Sequence, residues 1–256
     1  MPENVSGAGS CEKHGPYTYN AYKVGKIVIG SSCPVCLRDR QTVAQCELDQ
    51  DAREGEIQRR RNVLVRSGIP PTFLDSTFEN YVVNDLSRKN LNYVRAYAKG
   101  FNLALARRPS TGLVLLGASG TGKTHLACAL IRQLRDDGYT ARYVRIPDLL
   151  IKLNEATFGR AEMPASRIID ALSKNHLLVM DEYGAHTLKD ESYQALFSII
   201  EARYQKNLPT MLITNLTEAE LQRELDPRFL ERILGNSSGV MLSFNWSTHR
   251  MRKNND

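Results

Sequence analysis

Residues 117–124 read Gly-Ala-Ser-Gly-Thr-Gly-Lys-Thr, a spacing of glycines before a lysine and a threonine that is typical of phosphate binding. Glycines let successive backbone N–H groups turn toward an anion, and the N-terminus of a following helix adds partial positive charge. In this pattern Lys123 contacts the β- and γ-phosphates, and the Thr124 hydroxyl is a Mg²⁺ ligand. The alternative is a glycine turn that happens to carry a lysine. We predict a nucleoside triphosphate site at Gly117, Ala118, Ser119, Gly120, Thr121, Gly122, Lys123, Thr124 and His125.

A carboxylate pair, Asp181-Glu182, follows the apolar run at 177–180. Four apolar residues indicate a buried parallel strand, and α/β sheets place their ligands at the carboxyl ends of such strands. We predict that Asp181 holds Mg²⁺ through water and that Glu182 orients or polarises an attacking water. This pattern is weak alone and becomes strong when it follows Lys123 in an α/β arrangement.

Three further polar residues could complete a phosphate-cleaving site. Asn215 ends the apolar segment 209–214, where its amide could bond the attacking water or the γ-phosphate, although asparagine also ends strands for turn reasons alone. Arg228 and Arg232 lie one turn apart on a predicted helix that begins at Asp226. Either could reach a neighbouring subunit's γ-phosphate as an arginine finger, or be a plain surface arginine.

Two short pairs of metal-binding residue types lie near the N-terminus, Cys11-x-x-His14 and Cys33-Pro-x-Cys36. Two such pairs can meet at one tetrahedral Zn²⁺ whose four positions are all filled by protein, which is typical of a structural site. The β-rich stretch at 17–29 suits the hairpin of a zinc ribbon. So small a lobe would depend on the metal for its folding energy. Incidental cysteines beside a surface histidine are the alternative.

The elements that must position these residues follow from apolar spacing. The predicted strands are 113–116, 141–146, 177–182, 209–214 and 240–244. The predicted helices are 37–66, 86–107, 125–134, 148–158 and 168–172, with one more around Arg228 and Arg232. Strands that alternate with helices predict an α/β fold with a parallel sheet.

Composition excludes several classes of protein. In 256 residues there is no apolar run of the length that a transmembrane helix needs, and the polar N-terminus lacks the apolar core of a secretory signal. Five cysteines are too few, and an odd number, for a disulfide framework, so we expect a reducing cytoplasm. The net charge of +6 favours a polyanion such as nucleic acid, although a solvated basic surface would look the same.

The motifs at 117–124, 177–182, 213–215 and 231–233 occur in the order that makes the chain resemble AAA+ ATPases. It resembles more narrowly the DnaC-type helicase loaders of the IstB/DnaC-like ATP-binding family, including loader-like ATPases of phages and prophages. That narrower resemblance is carried by the segments 66–70, 76–81, 234–237 and 244–246. Few residues follow Asn215, too few for the helical lid of most AAA+ modules, and DnaC-like proteins lack that lid.

The resemblance implies a fold and a division of the chain. We expect an AAA+ P-loop NTPase three-layer sandwich with a parallel sheet, no C-terminal lid, and a small zinc-ribbon-like N-terminal lobe. The expected boundaries are 1–45 for the lobe, 46–66 for a charged helical linker and 67–250 for the ATPase domain.

The resemblance also implies partners and roles. ATP, Mg²⁺ and Zn²⁺ would be the cofactors, Arg232 would be favoured over Arg228 as the finger, and the segment 69–78 would lie near the adenine. The N-terminal lobe would dock on a DnaB-type replicative helicase, and single-stranded DNA would contact 151–160 through Lys152, Phe158 and Arg160. The family acts as a homo-oligomeric ring or helical assembly away from membranes. The predicted zinc ribbon is the feature in which this sequence differs from DnaC itself.

The leading hypothesis is therefore an ATPase that loads a ring helicase onto single-stranded DNA and is released by hydrolysis. One alternative is an IstB-like transposition ATPase that assembles on duplex DNA and directs a transposase. Another is a zinc-ribbon adaptor whose nucleotide site gates binding without turnover. Intact Lys123, Thr124, Asp181 and Glu182 argue against that adaptor.

Overall fold

The computed structural model describes residues 3–24, 26–30, 32–106, 110–157, 163–184, 190–235 and 239–246. The chain divides into two compact units, residues 1–60 and 61–256, and the structure holds one sheet of three strands and one of five. Within the described ranges no helix combines the length and the apolar character that a membrane span requires.

The first unit is a three-stranded antiparallel sheet followed by a long helix. The strands are β1 (Glu3–Cys11), β2 (Gly15–Val24) and β3 (Ile27–Ile29), in the order β1-β2-β3, and the helix is α1 (Pro34–Arg66), whose last residues, from Arg61, belong to the second unit. The sequence predicts no strand before Cys11, because that segment is polar. In the structure it pairs with β2 along its whole length, so cross-strand hydrogen bonds supply the order that its composition does not.

The helix α1 begins at Pro34 and not at Leu37 as the sequence predicts. Proline suits the first turn of a helix because its φ is already helical and its missing N–H has no partner to lose there. Cys36 therefore lies in the first helical turn and not in a free loop. The rest of α1 is largely exposed, as its charged composition indicates, with Leu64 buried near its end.

The second unit is built on a five-stranded parallel sheet, which confirms the predicted α/β fold. Its strands are β4 (Leu113–Gly117), β5 (Ala141–Arg145), β6 (Leu177–Tyr183), β7 (Thr210–Thr214) and β8 (Val240–Phe244). Their order is β5-β6-β7-β4-β8, and every pairing is parallel. Because β7 lies between β4 and β6, the ends of these three strands face one another at the same edge.

The helices of this unit connect the strands. A 3-10 turn at Pro71–Phe73 precedes α2 (Asp85–Lys99), α3 (Phe101–Ala106), α4 (Lys123–Asp136), α5 (Ile146–Thr157), α6 (Ala165–Leu172), α7 (Asp190–Gln205), α8 (Glu218–Glu224) and α9 (Pro227–Leu234). The single helix predicted over 86–107 is wrong: Gly100 ends α2, and α3 starts after it. Glycine is a weak helix former, which explains the break. Arg107 lies outside the described residues.

The helices α7 and α8 are not among those predicted from the sequence. A signal for α7 existed, since Leu196, Ile199 and Ile200 follow helical spacing and are all fully buried. No helical bundle follows β8 in the part of the chain that the structure describes.

Both faces of the sheet are covered, which makes three layers. Along β4, Leu113 and Leu115 pack in one apolar cluster with α2, α3 and α4, whereas Val114 and Leu116 pack in a second cluster with the later helices. Successive side chains of a strand point to opposite faces, so an unbroken apolar run serves both clusters.

One arginine is buried in this core. Arg203 of α7 has no exposed surface, and its guanidinium donates to the carbonyl oxygens of Leu172 (2.8 Å), Asn175 (2.9 Å) and Pro209 (2.6 Å) and to the Thr210 hydroxyl (3.0 Å). These acceptors lie at the end of α6, just after it and at the start of β7. Arg203 therefore ties three segments together inside the domain.

Candidate nucleotide and metal sites

A cavity of about 530 Å³ lies where the carboxyl ends of β4, β5, β6 and β7 converge. Its polar side is lined by Ser119, Gly120, Gly122, Lys123, Thr124, His125, Tyr143, Arg145, Asp181, Glu182 and Asn215. Its other side is formed by the segment 70–82, which contributes Pro70, Thr72, Phe73, Asn80, Tyr81 and Val82. A polar side and a largely apolar side suit a ligand that has both a charged group and a flat apolar part.

Two glycines give the phosphate loop its shape. Gly117 has φ +122°, and a Cβ there would lie 2.5 Å from the carbonyl oxygen of Phe244. Gly122 has φ +94°, and a Cβ there would lie 2.6 Å from the ring of Tyr81. Any other residue at either position would be both strained and blocked, so these glycines are required by close packing on β8 and on the segment 70–82.

Lys123 connects the phosphate loop to β7. Its Nζ donates to the carbonyl oxygens of Gly117 (2.6 Å) and Ala118 (2.7 Å) and to Oδ1 of Asn215 (3.0 Å). Burial lowers the pKa of Lys123 to about 8, and the charge of nearby Asp181 opposes that effect. An anion in the cavity would favour the charged ammonium further.

Asp181 is the most enclosed acid of the site, with 4% of its surface exposed. Its Oδ2 accepts hydrogen bonds from the hydroxyls of Thr124 (2.8 Å) and Tyr143 (2.7 Å), and its Oδ1 accepts from the backbone N–H of Glu182 (2.7 Å). Burial raises the pKa of the Asp181 carboxyl, and these donors act in the opposite direction. A carboxylate and a hydroxyl side by side are oxygen donors of the kind that Mg²⁺ prefers, so the residues present fit this ion.

Glu182 has an unusual backbone conformation. Its φ is +65°, and the pairing of β6 with β7 is irregular between Met180 and Tyr183. A left-handed glutamate at a bulge is strained, and bulges near functional sites re-aim side chains. The sequence contains no signal for this conformation.

Glu182 is paired with Arg145 at the end of the neighbouring strand β5. The guanidinium of Arg145 donates to Glu182 Oε2 at 2.7 Å and also lies 3.2 Å from Asp148 Oδ2. Arg145 and Tyr143 are not among the predicted site residues, because the pairing of β5 with β6 that brings them to Asp181 and Glu182 joins segments distant in the chain.

His125 supports the wall of the cavity. Its Nε2 lies 2.9 Å from the carbonyl oxygen of Thr77, and its ring meets the ring of Tyr81 edge-on at a centroid distance of 5.3 Å. The residue therefore joins α4 to the segment that forms the apolar side of the cavity.

The two arginines of α9 do not line the cavity described above. Arg228 pairs with Asp226 at 2.7 Å, and Arg232 donates from Nε to Glu201 Oε2 at 2.7 Å while its guanidinium lies 4.4 Å from the centre of the Tyr204 ring. Both are held by their own chain. A role toward a neighbouring subunit stays a prediction for each.

The four predicted zinc ligands come together in the first unit. Their donor atoms all lie within 4.8 Å of one another. His14 Nδ1 is 3.7 Å from Cys11 Sγ, 3.8 Å from Cys33 Sγ and 3.3 Å from Cys36 Sγ, and the sulfurs of Cys11 and Cys36 are 3.5 Å apart. A tetrahedral zinc with its usual bond lengths separates its ligands by about 3.5–3.8 Å. The donor set fits zinc in both chemistry and spacing.

Contacts within the cluster shift the pKa values of two of its thiols in opposite directions. The backbone N–H of Lys13, the contact with Cys36 and the backbone N–H of His14 lower the pKa of Cys11 to about 6. The pKa of Cys36 is raised to about 11, chiefly because its thiol bonds to Cys11. On the far side of the imidazole, Asp39 Oδ2 is 3.7 Å from His14 Nε2. A carboxylate there can orient the histidine ring.

Only part of the predicted contact with single-stranded DNA lies within the described residues. Phe158 and Arg160 lie outside the described residues. Lys152, on α5, is exposed, and so is its neighbour Ile151.

Comparison with known proteins gives consistent results. The profile of the family described as IstB-like ATP binding protein matches residues 54–245. The chain is 30% identical over 234 residues to the replicative helicase loader DnaC of Escherichia coli strain K12, which covers 91% of this chain and 89% of that protein. It is 30% identical over 200 residues to the replicative helicase loader DnaC of Buchnera aphidicola subsp. Schizaphis graminum, covering 77% and 78%.

Solved structures show the same fold. A crystal structure of the DnaC helicase loader has a TM-score of 0.54 at 21% identity and covers 69% of this chain and 100% of that one. A crystal structure of DnaI has a TM-score of 0.57 at 21% identity and covers 71% and 94%.

Proposed function

Because the chain belongs to the family of IstB-like ATP-binding proteins, we propose that it is an ATPase that loads a replicative ring helicase onto single-stranded DNA. The observation that carries the ATPase part is the convergence of Lys123, Thr124, Asp181, Glu182 and Asn215 on one cavity. The similarity to helicase loaders over nine-tenths of the chain supports the loading part. ATP binding and hydrolysis would control assembly on DNA and release from it.

Each residue of the cavity then has a role. The loop residues 117–122 cradle the phosphates, and Lys123 neutralises their charge. Thr124 and Asp181 would hold Mg²⁺, which would neutralise charge on the phosphates. Glu182 orients the attacking water and accepts its proton, and Asn215, already bonded to Lys123, holds the same water or the γ-phosphate.

The remaining roles concern assembly. Arg232, or else Arg228, would complete the ATP site of a neighbouring subunit in a homo-oligomeric ring or helix. The segment 1–45 would bind zinc and dock on the helicase, 46–66 would link it to the ATPase domain at 67–250, and Lys152 would contact single-stranded DNA. The cytoplasm, where thiols stay reduced and replication takes place, is the location that this function requires.

Loss of two thiolate ligands is expected to remove zinc. In Cys33→Ser/Cys36→Ser the zinc content should fall from about one ion per chain to nearly none, because two of four ligands are gone. Elemental analysis of the purified chain measures this content. Cys46→Ser is the matched control, since Cys46 is exposed and outside the cluster. One stoichiometric zinc in the double variant would exclude this site.

Release of Glu182 from Arg145 is expected to speed basal turnover. Arg145→Ala should raise the kcat for ATP without DNA about two- to fivefold, the range that an exposed ion pair of this kind can supply. The reason is that the ion pair competes with the water for the Glu182 carboxylate. Steady-state phosphate release measures the change, and Arg223→Ala, on the surface of α8, serves as control. A fall in kcat would mean that Arg145 assists the reaction.

The family match also favours a second candidate, because its description names IstB-like proteins. In that case the chain would assemble on duplex DNA and direct a transposase. A passive adaptor is a third possibility and would show no turnover.

Loading itself can be tested with the full chain and the ring helicase of its host. The expected result is that helicase becomes stably bound to circular single-stranded DNA only when both the chain and ATP are present, and that Lys123→Ala does not support this. Affinity capture with the full chain should recover the helicase from host lysate. Recovery of a transposase, with preference for duplex DNA, would decide for the second candidate.

A further inference from the structure

One carbonyl oxygen in the phosphate loop accepts two hydrogen bonds from aromatic side chains. The Tyr81 hydroxyl lies 3.2 Å from the carbonyl oxygen of Thr121, and the indole Nε1 of Trp246 lies 3.1 Å from the same oxygen. Trp246 is the only tryptophan of the sequence. The two donors come from opposite ends of the domain, one before α2 and one after β8.

The side chain of Thr121 is turned inward and held separately. Thr121 is fully buried, and its hydroxyl donates to the carbonyl oxygen of Ala118 at 2.8 Å. A carbonyl oxygen has two lone pairs, so Tyr81 and Trp246 together satisfy this acceptor.

The direction of this carbonyl fixes the direction of a loop N–H. In a planar trans peptide the C=O and the following N–H point to opposite sides. When the Thr121 carbonyl is held against Tyr81 and Trp246, the N–H of Gly122 must point away from them. Gly122 lines the cavity, and its φ of +94° is open to glycine alone at this close distance from the Tyr81 ring.

Both donors are themselves anchored by packing. The Trp246 indole lies 4.9 Å from the ring of Phe244, the last residue of β8. In the same strand, the carbonyl oxygen of Ser243 accepts a hydrogen bond from the side-chain amide of Asn90 of α2 (2.8 Å). Tyr81 is buried and meets the ring of His125 edge-on. Rigid donors can hold a peptide plane, whereas mobile ones could not.

We propose that Tyr81 and Trp246 are positioning residues that hold the Thr121–Gly122 peptide so that its N–H serves the phosphates of ATP. This inference rests on the proposed function, since it requires that the loop bind ATP. Both act through the loop backbone; Tyr81 also lines the cavity, whereas Trp246 is not among its lining residues. Because each donor can partly replace the other, the loss of both should have an effect larger than the two single losses combined.

The test compares Trp246→Phe, Tyr81→Phe and the double variant, each of which removes a donor and keeps the ring. Each single change should weaken ATP binding about threefold, as expected for one hydrogen bond, and the double variant more than about tenfold. KM should rise by similar factors with kcat nearly unchanged, because the held peptide binds ground state and transition state alike. Tyr97→Phe is the matched control: it removes a tyrosine hydroxyl bond to a backbone carbonyl, that of Thr111 at 2.6 Å, outside the loop.

A spectroscopic measurement on the unchanged chain is independent of how the variants fold. Emission of the single tryptophan should change when ATP is added, and Lys123→Ala should abolish the change. A folded double variant that binds ATP within about twofold of the unchanged chain would overturn the inference. Tryptophan emission of the unchanged chain that does not change when ATP binds would also overturn it. Failure of the unchanged chain to bind ATP would instead overturn the proposed function.

Discussion

Replacement of Glu182 by glutamine is expected to lower ATP turnover at least about 100-fold while ATP affinity stays within about twofold. Glutamine has the same shape but carries no negative charge and cannot accept the proton of an attacking water. General bases of this kind contribute about 10²- to 10⁴-fold, so the expected loss lies at or above the lower end of that range.

The structure separates the two parts of this prediction. Lys123 donates to Asn215 and Thr124 donates to Asp181, and neither bond involves the Glu182 side chain, which pairs with Arg145. ATP binding should therefore survive the change. The backbone at position 182 should also keep its place. Its N–H donates to Asp181 Oδ1, and this bond does not involve the Glu182 carboxylate.

Two assays measure the outcome. Equilibrium binding of a fluorescent ATP analogue reports affinity, and phosphate release under saturating ATP reports kcat. Glu224→Gln, at the end of α8 and half exposed, is the matched control and should keep full turnover. A Glu182→Gln chain that binds ATP and turns it over as fast as the unchanged chain would remove Glu182 from the role of base.

The nucleotide site shows what sequence can and cannot predict. The loop 117–124 and the pair Asp181-Glu182 are recognisable because local spacing fixes their chemistry. Asn215 follows from its place at a strand end. Arg145, in contrast, becomes a site residue only because β5 pairs with β6, a contact between segments distant in the chain.

The same limit explains the aromatic pair on the loop. Tyr81 and Trp246 lie in two of the segments that carry the family resemblance, but only the folded chain brings both to the carbonyl oxygen of Thr121. The bulge at Glu182 is likewise a property of strand pairing and not of residue type. Features fixed by local spacing, the two short pairs of zinc ligands among them, were accessible from the sequence, and features that depend on which strands or side chains meet in the fold were not.

Secondary structure follows this division as well. The strands of the parallel sheet are apolar runs, so the sequence predicts each of them within a residue or two. The polar strand β1 owes its conformation to β2, and it was missed. Gly100 is a residue type that often ends a helix. Apolar residues nevertheless continue at helical spacing on both sides of it, at Tyr97 and Phe101, so the sequence predicts one helix where the structure has two.

Loss of the buried guanidinium of Arg203 is expected to have the largest effect on stability. Arg203→Met should lower the free energy of unfolding by about 3–5 kcal/mol, the usual result when one partner of a buried polar network is removed. Methionine fills much of the space but donates nothing. Three backbone carbonyls and the Thr210 hydroxyl would then remain buried and lose their donor.

Lysine should not restore this loss, because a single ammonium group cannot reproduce the planar fork that meets acceptors in three segments. Urea denaturation followed by circular dichroism measures the change for Arg203→Met and Arg203→Lys. Arg223→Met, at a side chain 74% exposed, should change stability by no more than about 0.5 kcal/mol. If Arg203→Met were as stable as that control, the three segments would have to be held by apolar packing alone. Because β7 begins at Thr210 and leads directly to Asn215, Arg203 stabilises the start of the strand whose other end carries a residue that lines the cavity.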